Sequence, residues 1–131
     1  MIEPFKVQVR FSDLDVLGHV NNSVYLTYFE STRVYYFTHL LGTDWDWTTD
    51  SVVLVKNEVE YMRPILLHDV PEIEMYTSHI GTKSFTFAYN IRVNDVLYSK
   101  GTSTLVAYDV DTQSTVLIQP SMLEVIKKLK Q

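Results

Sequence analysis

Residues 12–33 read SDLDVLGHVNNSVYLTYFESTR, and the fold turns on this stretch. Its first eleven residues hold two aspartates, a glycine, a histidine and paired asparagines. An aromatic segment with helical spacing follows without a break. Asn21 or Asn22 suits the N-cap of a helix over roughly 23–41, and Gly42 suits the position just past its end. Apolar residues lie nearly all round that helix, from Val24, Tyr25 and Leu26 to Tyr36, Phe37 and Leu40, so it is expected to be wrapped by other structure. Thr27, Glu30, Ser31 and Thr38 form a narrow polar seam. Polar groups crowded at the mouth of an apolar helix are what a small-molecule site looks like in sequence.

The flanks read as strands. Residues 5–11 alternate Phe5, Val7, Val9 and Phe11 against Lys6, Gln8 and Arg10, a strand with one buried face. Gly18 is free to take a positive φ in the loop between. Residues 43–50, with Trp45 and Trp47, read as a loop. A long strand over 52–63 carries Val53, Val55, Val59 and Tyr61 on one face and Lys56, Glu58 and Glu60 on the other, closed by Arg63-Pro64. Strands over 70–80, 84–93 and 96–109 follow, joined by Gly81-Thr82-Lys83 and by the tight turn Asn94-Asp95. A short strand over 116–118 precedes a last helix, opened by Pro120-Ser121 and running over 122–130 into lysines that suit its C-terminal dipole. Strand, long helix, then an antiparallel meander predicts a single α+β domain over 1–131, one sheet curling around one helix. Such a sheet leaves edges open, so at least a homodimer is expected.

With 46% hydrophobic and 21% charged residues, the 131-residue chain can bury a core without staples. Zero cysteines remove disulfides, thiol nucleophiles and thiolate metal sites, and fit a reducing compartment. The start, MIEPFKVQVRF, has no basic segment leading into an apolar run, and no apolar run approaches the ~20 residues of a membrane span. A cytoplasmic protein with no membrane partner is therefore expected. A net charge of −5 argues against a nucleic-acid partner, whose phosphates need a basic face. Nine tyrosines suit interfaces and half-wet pockets.

Asp13 and Asp15 read in three ways: a turn and capping pair, two ligands of a metal site that His19 would complete, or catalytic carboxylates. No fourth ligand is evident, so no metal and no cofactor is expected. Asp15 lies close to a helix N-terminus, where an ionised carboxylate beside backbone N–H groups has the ingredients of a base or nucleophile facing an oxyanion site. His19 fits general base, positioning or structural roles equally. No glycine-flanked nucleophile accompanies a Ser–His–Asp grouping, which argues against serine-type hydrolysis. Glu30, if buried, needs a partner such as Arg33. Asn57, among apolar neighbours, either satisfies a core hydrogen bond or lines a pocket.

The stretch RFSDLDVLGHVNNSVYLTYFESTR over 10–33 resembles the signature of hotdog-fold acyl-CoA thioesterases of the 4-hydroxybenzoyl-CoA thioesterase type: a strand, D-x-D-x-x-G-H-V-N-N-x-x-Y, then a helix with E-x-x-R. The similarity continues through Tyr61-Met62-Arg63-Pro64, Gly81-Thr82-Lys83-Ser84 and Val106-Ala107-Tyr108-Asp109, in order. It implies a sheet wrapped around a central helix, a dimer or tetramer with sites between subunits, and hydrolysis of acyl-CoA to a carboxylic acid and free CoA. Asp15 would be nucleophile or general base, and the backbone N–H near Asn22 would polarise the carbonyl. His19 and Asn21 would help to position. Tyr25, Asn57, Arg63, Lys83 and Ser84 would contact substrate, Arg63 and Lys83 through its phosphates. The stretch is also similar to plant acyl-ACP thioesterases, but Leu17 stands where those carry an asparagine, which favours the acyl-CoA expectation. A non-catalytic acyl-thioester binding module would look alike at this level.

Overall fold

The computed structural model describes residues 2–46, 48 and 50–131, so Trp47 of the expected loop lies outside the described residues. The elements in chain order are β1 (Phe5–Lys6), a 3-10 turn (Phe11–Asp13), α1 (Val24–Leu41), β2 (Val52–Tyr61), β3 (Glu72–Ile80), β4 (Ser84–Val93), β5 (Val96–Asp109), β6 (Ser114–Thr115) and α2 (Pro120–Lys128). The main sheet runs β1-β3-β4-β5-β2, every pair antiparallel, with β6 added beside the end of β5. This is the expected α+β hotdog architecture, a long helix laid on one face of an antiparallel sheet.

Local chemistry explains the best-defined parts. Phe85, Phe87, Tyr89, Ile91 and Val93 alternate along β4, and all five are buried on one face. Asn94 and Asp95 both take positive φ, 50° and 65°, the geometry that joins β4 to β5 in two residues without splaying them. Along α1 the buried side chains are Tyr25, Tyr28, Phe29, Thr32, Arg33, Tyr36 and Phe37, the i, i+3, i+4, i+7 stripe of a helix with one inner face. Phe29 stacks on Tyr89 with centroids 4.1 Å apart and planes 6° from parallel. Gly42 ends the helix at φ 85°, its N–H donating to the Thr38 carbonyl. The apolar stripe of α2 buries Met122, Val125 and Ile126, and Thr77 of β3 ties it down, its hydroxyl donating to the Ile126 carbonyl at 2.7 Å.

Several expectations shift. The first strand pairs only at Phe5–Lys6; Val7 and Val9 remain buried, but Phe11 is exposed because the chain turns into the 3-10 segment to place Asp13. The outer side of α1 is open, with Leu26 and Val34 exposed, so the helix is packed along one side rather than wrapped all round. The expected Val53–Val55–Val59–Tyr61 face of β2 is broken by a bulge. Leu54 faces Leu105 and Lys56 faces Thr104, leaving Val55 unopposed. That extra residue reverses the side-chain phase, so Val52 and Leu54, not Val53, share a face with Asn57, Val59 and Tyr61. The final strand is Ser114–Thr115 rather than 116–118, although the Val116 N–H still donates to the Ala107 carbonyl at 3.0 Å. Glu30 is exposed and does not meet Arg33. Arg33 turns inward, donating from Nη1 to the Tyr89 hydroxyl at 3.0 Å and to Ser103 Oγ at 3.2 Å.

Candidate active site

The segment between the 3-10 turn and α1 is a closed loop stitched from its own groups. Leu14 and Val20 form an antiparallel bridge, the Asp15 N–H donates to the His19 carbonyl at 2.8 Å, and the Gly18 N–H donates to the Asp15 carbonyl at 3.0 Å. Gly18 makes the reversal possible with φ 79°. Two further bonds fix the loop to the body. The Val20 N–H donates to the Ile65 carbonyl at 2.8 Å and the Asn21 N–H to the Asp13 carbonyl at 2.8 Å.

Asp13 is the anchor of this loop, as one of the sequence readings has it. It is 2% exposed; its Oδ2 accepts from the Arg10 N–H at 3.0 Å and the Tyr28 hydroxyl at 2.8 Å, and its Oδ1 from the Arg10 guanidinium at 3.0 Å. Burial alone would push its pKa up, but those three donors outweigh it and hold the carboxyl below its ordinary value.

Asp15 is placed differently. It is half-buried, and its Oδ1 accepts from the Leu17 N–H at 2.9 Å and the His19 N–H at 3.2 Å. Among the described residues Oδ2 accepts nothing, so the carboxylate is oriented by one oxygen and presents the other. Asp15, His19, Asn22, Tyr25, Tyr61 and Arg63 line one pocket of about 240 Å³ at the mouth of α1. The Asn22 N–H has no acceptor among the described residues. Its direction is nonetheless fixed, because the carbonyl of the same peptide, that of Asn21, accepts from the Val24 N–H at 2.9 Å and a trans peptide points the two opposite ways. The Asn21 side chain accepts from the Ser23 N–H and hydroxyl, both at 3.0 Å, so Asn21 shapes the helix entry rather than facing the pocket.

The remaining expected residues divide. Tyr25 is 2% exposed, its hydroxyl bonded to the Ile65 backbone, and burial pushes its pKa up to about 12, so it is a neutral wall. Arg63 reaches the pocket and lies over the Tyr98 ring, 5.9 Å from its centroid. Asn57 resolves toward the core, accepting from Ser103 Oγ at 2.6 Å. Lys83 and Ser84 are not brought to the pocket. Ser84 faces Val106 while Tyr61 faces Ser99, seven residues away along β5, which is about 24 Å. Val20, Tyr61, Met62 and Pro64 also line the pocket, and sequence reasoning passed over them, counting Tyr61 as one of an apolar strand face. Larger grooves of about 410 and 470 Å³ run along the outer side of α1 and beside residues 6–9, away from Asp15. Among the described residues no cluster of three His, Asp or Glu could hold a metal, and no helix is long and apolar enough to cross a membrane.

A long helix on this sheet order defines a hotdog-fold protein, and the helix mouth carries a presented carboxylate and an unengaged N–H. Comparison with known proteins narrows the class. The model of the thioesterase-like superfamily matches residues 9–126, so the chain belongs to that family and is a thioester hydrolase. A crystal structure of a Thermus thermophilus thioesterase, complexed with coenzyme A and zinc, is 34% identical, covers 98% of this chain and 94% of its own, and superposes with a TM-score of 0.83. YsmA of Bacillus subtilis, an uncharacterised protein, is 36% identical over 64% of this chain and 56% of its own length. The long-chain acyl-CoA thioesterase FadM of Escherichia coli is 26% identical over 95% of this chain and 96% of its own.

Proposed function

We propose that this chain is an acyl-CoA thioesterase of the 4-hydroxybenzoyl-CoA thioesterase type, with Asp15 as its nucleophile or general base. The observation that carries the reading is one pocket lined both by Asp15, whose carboxylate is held by one oxygen only, and by Asn22, whose N–H is unengaged. The substrate carbonyl oxygen would sit on that N–H at the start of α1, where the helix dipole adds to the stabilisation of negative charge. As a base, Asp15 takes a proton from the water that attacks the carbonyl carbon. The tetrahedral oxyanion then collapses, the C–S bond breaks, and the thiolate leaves to be protonated as free CoA. As a nucleophile, Asp15 forms an acyl anhydride as the thiolate leaves, and water then hydrolyses it. Neither route calls for a cofactor. Arg63, at the rim, is a cation suited to the phosphates of CoA. Support for CoA as carrier comes from the coenzyme A complex of the Thermus relative and the activity named for the Escherichia coli one.

The same proposal includes pairing of two chains, as dimer or tetramer, through β2. That strand ends the sheet, its outer edge carries no ladder, and its inward-facing Leu54 is 45% exposed. Antiparallel pairing of β2 with its copy would lengthen the sheet and bring the far end of one chain, with Lys83 and Ser84, toward the Asp15 pocket of the other. The lack of cysteine supports a cytoplasmic setting.

The test is release of free thiol from a panel of acyl-CoA substrates by the wild type and by Asp15→Asn. The expected result is turnover by the wild type and a fall of about 10² or more in kcat for the variant. Turnover of no acyl chain, or a variant as fast as the wild type, overturns the proposal. Tight binding without turnover would identify a binding module instead.

A further inference from the structure

The end of β2 touches the loop that carries the proposed oxyanion donor. The Tyr61 hydroxyl donates to the Asn22 carbonyl at 2.9 Å, across 39 residues of sequence. Its ring packs edge-on against Tyr25, centroids 4.8 Å apart and planes at 85°, and it lines the pocket that holds Asp15. We propose that Tyr61 is a positioning residue for thioester hydrolysis, its hydroxyl holding Asn22 so that the Asn22 N–H meets the oxyanion in the transition state. The proposal rests on the reading of Asp15 and Asn22 given above.

The geometry around Asn22 explains why one hydroxyl matters. The peptide that carries the Asn22 N–H is fixed on one side by the Val24 N–H to Asn21 carbonyl bond. The next peptide carries the Asn22 carbonyl, and its own N–H, that of Ser23, is bound to the Asn21 side chain. Those bonds are all local, inside one turn, and Asn21, Asn22 and Ser23 are exposed. The Val20 and Asn21 N–H groups tie the chain just before the turn to Ile65 and Asp13, which leaves the Asn22 carbonyl side to be held from the sheet. The Tyr61 hydroxyl is the side-chain bond from the sheet to Asn22, and its own end is rigid. Tyr61 faces Ser99 in the β2–β5 ladder, and the N–H groups of Met62 and Arg63 both donate to the Tyr98 carbonyl, at 3.0 and 3.1 Å. A donor tied to a sheet keeps its direction when charge develops, and small misplacements of such a donor cost rate steeply. The Tyr61 hydroxyl is engaged with the backbone, so its removal is expected to leave substrate affinity nearly intact and to slow the chemical step.

The experiment compares wild type, Tyr61→Phe and Asp15→Asn on the acyl-CoA that the wild type cleaves fastest, together with amide hydrogen exchange at Ser23 and Val24 by NMR. For Tyr61→Phe the expected result is a kcat lower by roughly tenfold with KM within about twofold, and faster exchange at both amides. An unchanged kcat overturns the proposal, and so does a raised KM with kcat intact, which would make Tyr61 a substrate contact. Unchanged exchange overturns the tether whatever the rates. If Asp15→Asn turns over like the wild type, the reading of Asp15 is what fails, and the exchange measurement still decides whether Tyr61 holds the loop.

Discussion

Gly101 lies directly under the ring of Phe29. A Cβ at Gly101 would stand 2.7 Å from Phe29 Cε2 and 2.6 Å from the Glu58 carbonyl oxygen. The absence of a side chain there lets α1 settle onto β5, and with it the stacked Phe29–Tyr89 pair at the centre of the core.

Gly101→Ala is therefore expected to lose about 2–3 kcal/mol of stability, at the upper end of overpacking, because one of the two clashes is with backbone. Denaturant unfolding measures it. Shrinking the ring with Phe29→Leu in the same chain should not restore stability, since the Glu58 carbonyl remains in place.

Asp13 and Tyr28 form one unit with Arg10. Asp13→Ala strands the buried Tyr28 hydroxyl and is expected to cost about 3 kcal/mol, while Tyr28→Phe removes a single bond for about 1 kcal/mol. The double variant should lose less than the sum, since Tyr28 has nothing to bond once Asp13 is gone. Strict additivity in a denaturant series would disprove the coupling.

The acid limb of stability follows from two depressed carboxyl groups. For Asp13 the burial that raises its pKa is outweighed by donors from Arg10 and Tyr28; for Glu74, Arg92 and then Asn90 lower it, against burial. Both bind protons more weakly folded than unfolded, so the unfolded chain takes up more protons as acid is added. Their contribution is complete above about pH 4, the ordinary carboxylate range, and is lost as pH falls through the folded-state values. Unfolding midpoints should stay level above that range and drop below it, with a shallower drop for Asp13→Asn. Parallel acid limbs for the two proteins would rule Asp13 out as a source.

Leu54→Lys should separate the proposed pair of chains. It sets a charge on the inner face of the open β2 edge, where lysine is tolerated in a monomer but not against a second strand. Sedimentation velocity should show a dimer or larger for wild type and a monomer for the variant. A monomeric wild type would remove the β2 pairing.

The order of elements was legible along the chain wherever the signal is local. The β4 alternation, the Asn94-Asp95 turn and the Gly42 stop depend on neighbours a few residues away, and each appears where the pattern puts it. The loop motif 12–22 also announced a site, because its glycine, aspartates and asparagines bond mostly within the loop. The outcome differed where partners come from far away. Arg33 reads as the i+3 mate of Glu30 but bonds Tyr89 and Ser103, 56 and 70 residues on, because packing turns that face of α1 onto the sheet.

By itself, then, the sequence determined the order of the main strands and helices and the loop that carries Asp15, because periodicity, turn chemistry and capping are properties of short stretches; its motif resemblance led to the thioesterase-like superfamily. The family resemblance singled out Asp15, but only the tertiary structure gave the physical difference: Asp13 is sealed by Arg10 and Tyr28, and Asp15 presents an oxygen to the pocket. The tertiary structure also set the Val55 bulge that reverses β2, moved Lys83 and Ser84 to the far end of the sheet, and brought Tyr61 to Asn22. The physical reason is the same in each case. Two aspartates two residues apart carry the same local code, and strand register and burial, which depend on residues tens of positions away, decide what each one meets.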